Sequence, residues 1–189
     1  MKAARDLWHA SLADVPPDKL VFVDESGART NMTRLYGWGP VGGRVIDPVP
    51  HGHWKTCTML AAVRLSGPLA AVTIDAAVNA EAFVLWTREV LAPCLSPGDV
   101  VVMDNLPAHK GPGVAEAVEA AGASLRYLPP YSPDYNPIEN MWSKAKARLR
   151  SAAARTFDAL GDAIEHALAS VTPDDCRGFF GNSGYLAMT

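Results

Sequence analysis

Cysteine is scarce in this sequence: Cys57, Cys94 and Cys176 are the three present, and none belongs to a Cys-x-x-Cys pair. An odd, dispersed set of thiols excludes a disulfide framework and a zinc ribbon, and all three are expected to be buried. Long hydrophobic runs are missing too, since nothing approaches the roughly 20 apolar residues that a membrane span requires. The opening stretch MKAARDLWHASLADVPPDK places Asp6 and Asp14 where a secretory leader needs an apolar core. A cytoplasmic protein with no membrane partner is expected. Internal repeats and low-complexity linkers are absent as well, which favours one compact domain. What remains is 189 residues, 49% apolar and 20% charged, a balance that excludes wholesale disorder and fibrous repeats. A chain of this size buries roughly 70% of its extended-chain surface on folding.

The net charge is only -3, yet the charges are segregated. Arg29, Arg34, Arg44, Lys55 and Arg64 face a single acid, Asp47, in the stretch 29–64, and Lys144, Lys146, Arg148, Arg150 and Arg155 face only Glu139 in 139–155. Between them, 65–135 holds eight acids and three bases. Local basic stripes are what meet phosphates, so a polyanionic partner and two plainly solvated faces both fit the pattern.

Leu20-Val21-Phe22-Val23 is a β-prone run that ends in Asp24 and Glu25, which predicts a buried central strand with its acid at the C-terminal tip. Residues 34–44 mix aromatics with glycines and a proline, predicting an extended hairpin or arm. Two β-prone runs flank Ser66-Gly67-Pro68 as a hairpin, and Asn79 caps a helix over 80–91 that Pro93 stops. DVVVMD, residues 99–104, is a second buried strand ending in an acid. A helix over 113–121, a short strand over 124–128, a proline-rich loop, a helix opened by Asn136-Pro137 and a last helix over 157–170 complete the chain. This order suits a mixed α/β sheet with the acid-tipped strands side by side.

Two buried strands that each end in aspartate carry the chemistry. Converging carboxylates repel and lose solvation, and a divalent cation resolves both problems. Glu139, in the first turn of the helix after Asn136-Pro137, adds a third acid at the positive end of the helix dipole. Asp24, Asp104 and Glu139 form an all-oxygen set that suits Mg²⁺ or Mn²⁺ rather than Zn²⁺. Two such ions about 4 Å apart activate an attacking oxygen and stabilise a leaving one at a phosphodiester.

The blocks VFVDES, GDVVVMDNLPAHK and LPPYSPDYNPIENMWSKAKARLR resemble those of DDE transposases of the insertion-sequence 630 family, relatives of the mariner elements. The 34 residues between Asp104 and Glu139 match the spacing of that family. The resemblance runs from about Leu20 to Arg150 and more weakly to Phe180. It implies a ribonuclease-H-like α/β fold with a five-stranded mixed sheet flanked by helices. It also implies catalytic metal-binding roles for Asp24, Asp104 and Glu139, with Mg²⁺ or Mn²⁺ as cofactor. The implied activity is cleavage and strand transfer of double-stranded DNA at transposon ends and a target, in a bacterial cytoplasm and on the nucleoid when DNA-bound. Alternatives are a non-transposing nuclease of the same fold, or an idle remnant of a split transposase that only binds DNA or a partner.

About 19 residues precede the first strand, whereas full-length members of that family carry N-terminal helix-turn-helix domains. The expected division is therefore 1–19 as remnant or linker, 20–180 as catalytic domain and 181–189 as tail, with end recognition supplied by a separate domain or subunit. Pairing of DNA ends makes a homodimer a candidate assembly. Asn105, His109 and Asn136 are candidates to support the acids. Glu25 alternates to the opposite face of its strand, and Asp134 is read chiefly as a turn former. His51 and His53 lack zinc-spaced partners and suit DNA contact or the surface. Arg34, Trp38, Arg44, Lys55, Lys144, Lys146 and Arg148 are candidate DNA contacts, with Tyr36 and Trp38 alternatively forming a small satellite core. Trp142 is expected as the core anchor of its helix.

Overall fold

The computed structural model describes residues 2–186; positions 187–189 of the expected tail lie outside them. In chain order the elements are α1 (Lys2–Trp8), β1 (Leu20–Arg29), β2 (Thr56–Arg64), β3 (Gly67–Ile74), α2 (Ala80–Trp86), β4 (Val100–Met103), α3 (Pro112–Ala120), β5 (Ser124–Tyr127), α4 (Pro137–Ala152), α5 (Phe157–Ala169) and α6 (Pro173–Asn182). The five strands form one sheet in the order β3-β2-β1-β4-β5. β1 and β2 pair antiparallel, as do β2 and β3, whereas β1–β4 and β4–β5 are parallel. The expected mixed sheet is present, with the two aspartate-bearing strands as neighbours.

Side chains alternate across the sheet. Phe22, Met59, Ala61, Val63 and Val102 point to one face, where Ile138, Met141 and Trp142 of α4, Leu160 and Ile164 of α5 and Phe180 of α6 cover them. Val21, Val23, Leu60, Val101 and Met103 point to the other, against Phe83, Trp86, Val114 and Val118. Trp142 is the core anchor expected of it. By the same alternation Asp24 follows Phe22 onto the α4 face, and Glu25 follows Val23 onto the α2 face.

Several expectations are corrected. β1 does not end at Asp24: it runs five residues further to Arg29, held by β2 through Arg29 opposite Thr56. Pairing with β4 stops at Phe22 opposite Val102, so Asp24 lies where one flank of the strand opens. Residues 34–44 form no hairpin and no satellite core. Tyr36, Trp38, Val41 and Ile46 project almost wholly into solvent from a coil that joins β1 to β2, because too few apolar partners face them to form a layer. The root of this arm is fixed by Arg155, which donates to the carbonyls of Thr30 and Met32 at 3.1 and 2.9 Å. Cys94 is exposed, not buried as expected: it is the last residue of a 3-10 turn, Ala92–Cys94, at the surface.

The segment before β1, expected as a linker, instead packs on the domain. Trp8 and Leu12 are buried in the α4-side core, and the Trp8 indole donates to the Tyr185 hydroxyl at 2.7 Å. That hydroxyl donates in turn to the Tyr135 carbonyl at 2.7 Å. Tyr185→Phe leaves the indole N–H without its acceptor and is expected to cost about 1–2 kcal/mol, read as a lower urea midpoint at an unchanged denaturant slope. Helix α6, also unanticipated, opens with a capping box in which Thr172 and Asp175 bond reciprocally.

Candidate active site

Asp24, Asp104 and Glu139 reach one cleft of about 460 Å³. β1 supplies the first at its open flank, β4 the second just past its last paired residue, and α4 the third in its first turn. Asn105 and Asn136 line the same cleft, with Leu106, Pro130 and Tyr131 as its apolar wall. A larger groove of about 700 Å³, between β3 and α5 around Leu69, Ile164 and Glu165, gathers no reactive set.

Each acid is held differently. Asp24 accepts from the Glu25 amide at 2.8 Å, and the Asn136 amide group approaches its other oxygen at 3.5 Å. Burial pushes the Asp24 carboxyl up to about 7, and the nearby charges of Glu139 and Asp104 add to that. Burial also acts to raise Asp104, but hydrogen bonds from His109 and from the Leu106 amide override it and hold this carboxyl below the usual range. The two aspartates are thereby driven in opposite directions, one toward neutrality and one toward a firm charge. Among the described residues, no three His, Cys, Asp or Glu side chains already stand at ion-holding distances from one another.

His109 is almost completely buried and stacks on Phe83 with ring centroids 4.1 Å apart. Burial acts to lower its pKa, yet its hydrogen bonds to Asp104 and Glu25 outweigh this and push it up to about 9. It is therefore protonated at neutral pH, with both ring nitrogens as donors. Nδ1 donates to Asp104 at 2.6 Å and Nε2 reaches Glu25 at 3.4 Å. Glu25, correctly placed on the opposite face, steadies the cleft through this ring, a link the strand pattern alone does not show.

Asn136 occupies the N-cap position of α4, but its side chain makes no capping bond. It turns to Asp24 instead, and its Oδ1 is buried with no partner among the described residues. Asp134 forms a two-pronged pair with Arg5 at 2.6 and 3.0 Å, and the same guanidinium donates to the Tyr131 carbonyl and the Ser132 hydroxyl. Arg5 lies 126 positions from Tyr131, and nothing in the local sequence marks it as the loop's anchor.

Some basic residues counted in the stripes serve the fold. Arg64 pairs with the buried Asp99 at 2.8 Å, and Lys144 binds Asp175, joining α4 to α6. Lys144 thus has a structural partner rather than an open face. Arg34, Trp38 and Arg44 sit on the exposed arm with His51 and His53 further along it, and Lys55 lies at its root, where its backbone bonds Thr30, while Lys146 is half-buried and Arg148 exposed on α4. The Lys55 ammonium lies 5.6 Å from the Phe157 ring.

A family profile described as DDE superfamily endonuclease matches residues 19–161. Among solved structures, the catalytic domain of Mos1 mariner transposase aligns with a TM-score of 0.67 at 13% identity, covering 97% of this chain and 87% of that one. The Mos1 mariner paired-end complex with Mn gives a TM-score of 0.72 at 15% identity, covering 97% and 58%. The Mos1 transposase paired-end complex with left transposon end gives 0.71 at 15% identity, covering 96% and 57%. The chain thus spans a little over half the length of the transposase chains in those complexes. At such identities the likeness establishes the fold, which is ribonuclease-H-like. A search of curated proteins finds no match. Among the described residues no helix is long and apolar enough to cross a membrane.

Proposed function

This chain belongs to the DDE superfamily endonuclease family, and on that premise we propose that it is the catalytic domain of a transposase of the insertion-sequence 630 kind. Its substrate would be double-stranded DNA, cut at transposon ends and joined to a target. The observation that carries this reading is the convergence of Asp24, Asp104 and Glu139, from two parallel strands and a helix start, on one cleft.

Three features support a divalent cation there. The donors are all oxygen, the Asp24 carboxyl is held up to about 7 by burial and by its acidic neighbours, and the buried Asn136 Oδ1 has no partner among the described residues. This chemistry fits Mg²⁺ or Mn²⁺, and a similar structure was solved with Mn. When bound, the metal would supply Lewis-acid activation of the attacking oxygen and stabilisation of the leaving one.

The protein's own part is positioning. His109 fixes the orientation of Asp104, Asn136 steadies Asp24, and Arg5 holds the loop that delivers Glu139. Arg34, Arg44, Lys55, Lys146 and Arg148 are proposed to meet DNA phosphates, with Trp38 on the arm contacting DNA or a second copy. Sequence-specific end recognition is proposed to come from a helix-turn-helix domain or partner subunit. Dimerisation would bring two ends together.

Calorimetric titration with Mn²⁺, on the protein and on Asp104→Asn, followed by a strand-nicking assay on the same samples, tests the proposal. Binding and nicking are expected in the first, with both reduced at least a hundredfold in the second. Full metal-dependent nicking by Asp104→Asn would overturn the assignment, and joining of nicked ends to a second duplex separates a transposase from a simple nuclease.

A further inference from the structure

Among the described residues, three other than glycine have a positive φ: Ala70, Tyr131 and Ala153. Two have structural reasons. Ala153 closes the C-terminus of α4, its amide bonding the Leu149 carbonyl. Ala70 lies at the irregularity between β2 and β3, where its carbonyl accepts from the Trp86 indole at 2.9 Å. Tyr131, at φ 56, is different.

Its backbone has a role: the carbonyl accepts from Arg5 at 3.1 Å, and prolines at 129, 130 and 133 stiffen the loop on both sides. The ring has none in the fold, since it is 86% exposed. Glycine or asparagine would adopt the same left-handed backbone more easily. The chain therefore carries both the strain of a β-carbon at this φ and the exposure of a large aromatic, with no packing in return. Strain retained beside a reactive cleft points to a ligand, and Tyr131 lines the cleft that holds Asp24, Asp104 and Glu139.

We infer that Tyr131 is a stacking platform for a nucleobase next to the phosphodiester held by the three acids, and so a substrate-positioning residue. The inference rests on the function proposed above and names the part of DNA that the apolar wall receives. A π-face carries little sequence information, so the ring would fix where the strand lies without selecting a base. Leu106, 52% exposed on the same wall, supplies further apolar surface.

The test compares the wild type with Tyr131→Phe, Tyr131→Leu and Tyr131→Asn, using an oligonucleotide duplex with a single-stranded extension that carries 2-aminopurine. Binding is measured with Ca²⁺ and nicking with Mn²⁺. The wild type and Tyr131→Phe are expected to quench the 2-aminopurine. Tyr131→Leu and Tyr131→Asn should not quench it, and should bind roughly tenfold or more weakly, with KM raised and kcat nearly unchanged. Tyr131→Asn should melt at or above the wild-type temperature, and all variants should bind Mn²⁺ alike.

Unchanged quenching and KM in Tyr131→Asn, with nicking intact in the wild type, would refute the stacking role while leaving the proposed function standing. A melting temperature several degrees lower in Tyr131→Asn would also refute it, by revealing a structural use for the ring. A wild type that neither binds DNA nor nicks it removes both readings.

Discussion

Replacing Asp24 with asparagine is expected to abolish metal-dependent nicking and, in the same molecule, to make the metal-free protein more stable. The first effect follows from removing an oxygen donor at the centre of the acid set, with a loss of at least a thousandfold in rate. The second follows from the environment of the carboxyl, which moves from 3.8 to about 7 on folding, chiefly through burial. A carboxyl raised by folding contributes stability that is fully present below 3.8 and is lost as the pH climbs through about 7. At pH 8 the wild type therefore carries a charged group the fold disfavours. Full conversion of the shift is about 4 kcal/mol, and about 2 kcal/mol is expected because the carboxylate is partly open to the cleft. Urea unfolding in EDTA should show Asp24→Asn more stable by about that amount at pH 8, with the advantage fading toward pH 4. Excess Mn²⁺ should reverse the order by stabilising only the wild type. A variant no more stable than the wild type at pH 8 would show that the cleft does not strain this charge.

His109→Ala is expected to weaken Mn²⁺ binding ten- to a hundredfold, although His109 is not itself proposed to touch the metal. Its imidazolium holds Asp104 and reaches Glu25 from beneath the cleft, so its loss leaves one acid unoriented and another without its partner. Stability should fall as well, by about 2–3 kcal/mol, because the ring fills buried space against Phe83. The pH dependence has the opposite sense to that of Asp24. A histidine raised from 6.5 to about 9 contributes stability that is full below 6.5 and is lost as the pH passes 9. The gap between wild type and variant should therefore shrink between pH 6.5 and pH 9.5. His109→Gln, which keeps a donor, should recover part of the metal affinity. Equal Mn²⁺ affinity in wild type and His109→Ala would remove the positioning role.

The sheet was readable from the sequence because its strands follow simple patterns: β4 is a pure apolar run, and Ser66-Gly67-Pro68 marks the hairpin of β2 and β3, although the turn itself is Leu65-Ser66 and Gly67 and Pro68 already belong to β3. Their acids were readable for the same reason, since a carboxylate directly after a buried strand is conspicuous. The extension of β1 past Asp24 was not, because Glu25-Ser26-Gly27 reads as a terminus and only pairing with β2 keeps it extended. Helix α6 had a signal in Thr172-Pro173-Asp174-Asp175, a capped start with proline in the first turn. Helix α1 had none, being short and stabilised by Trp8 and Arg5 through partners more than a hundred positions away. The Asn136 side chain followed tertiary demand over local rule, leaving its helix uncapped to face Asp24.

The bond from the Tyr185 hydroxyl to the Tyr135 carbonyl, with Trp8 behind it, has a consequence for the growing chain on the ribosome. Asp24 and Asp104 emerge early and Glu139 follows, yet the loop just before Glu139 gains this brace only after residues 173–185 have been synthesised and docked. Each closure spans a long stretch of chain, and such contacts form slowly. The cleft therefore acquires its full support only once Tyr185 has been made and docked, and a nascent chain that has not reached it carries the acids without this bracing.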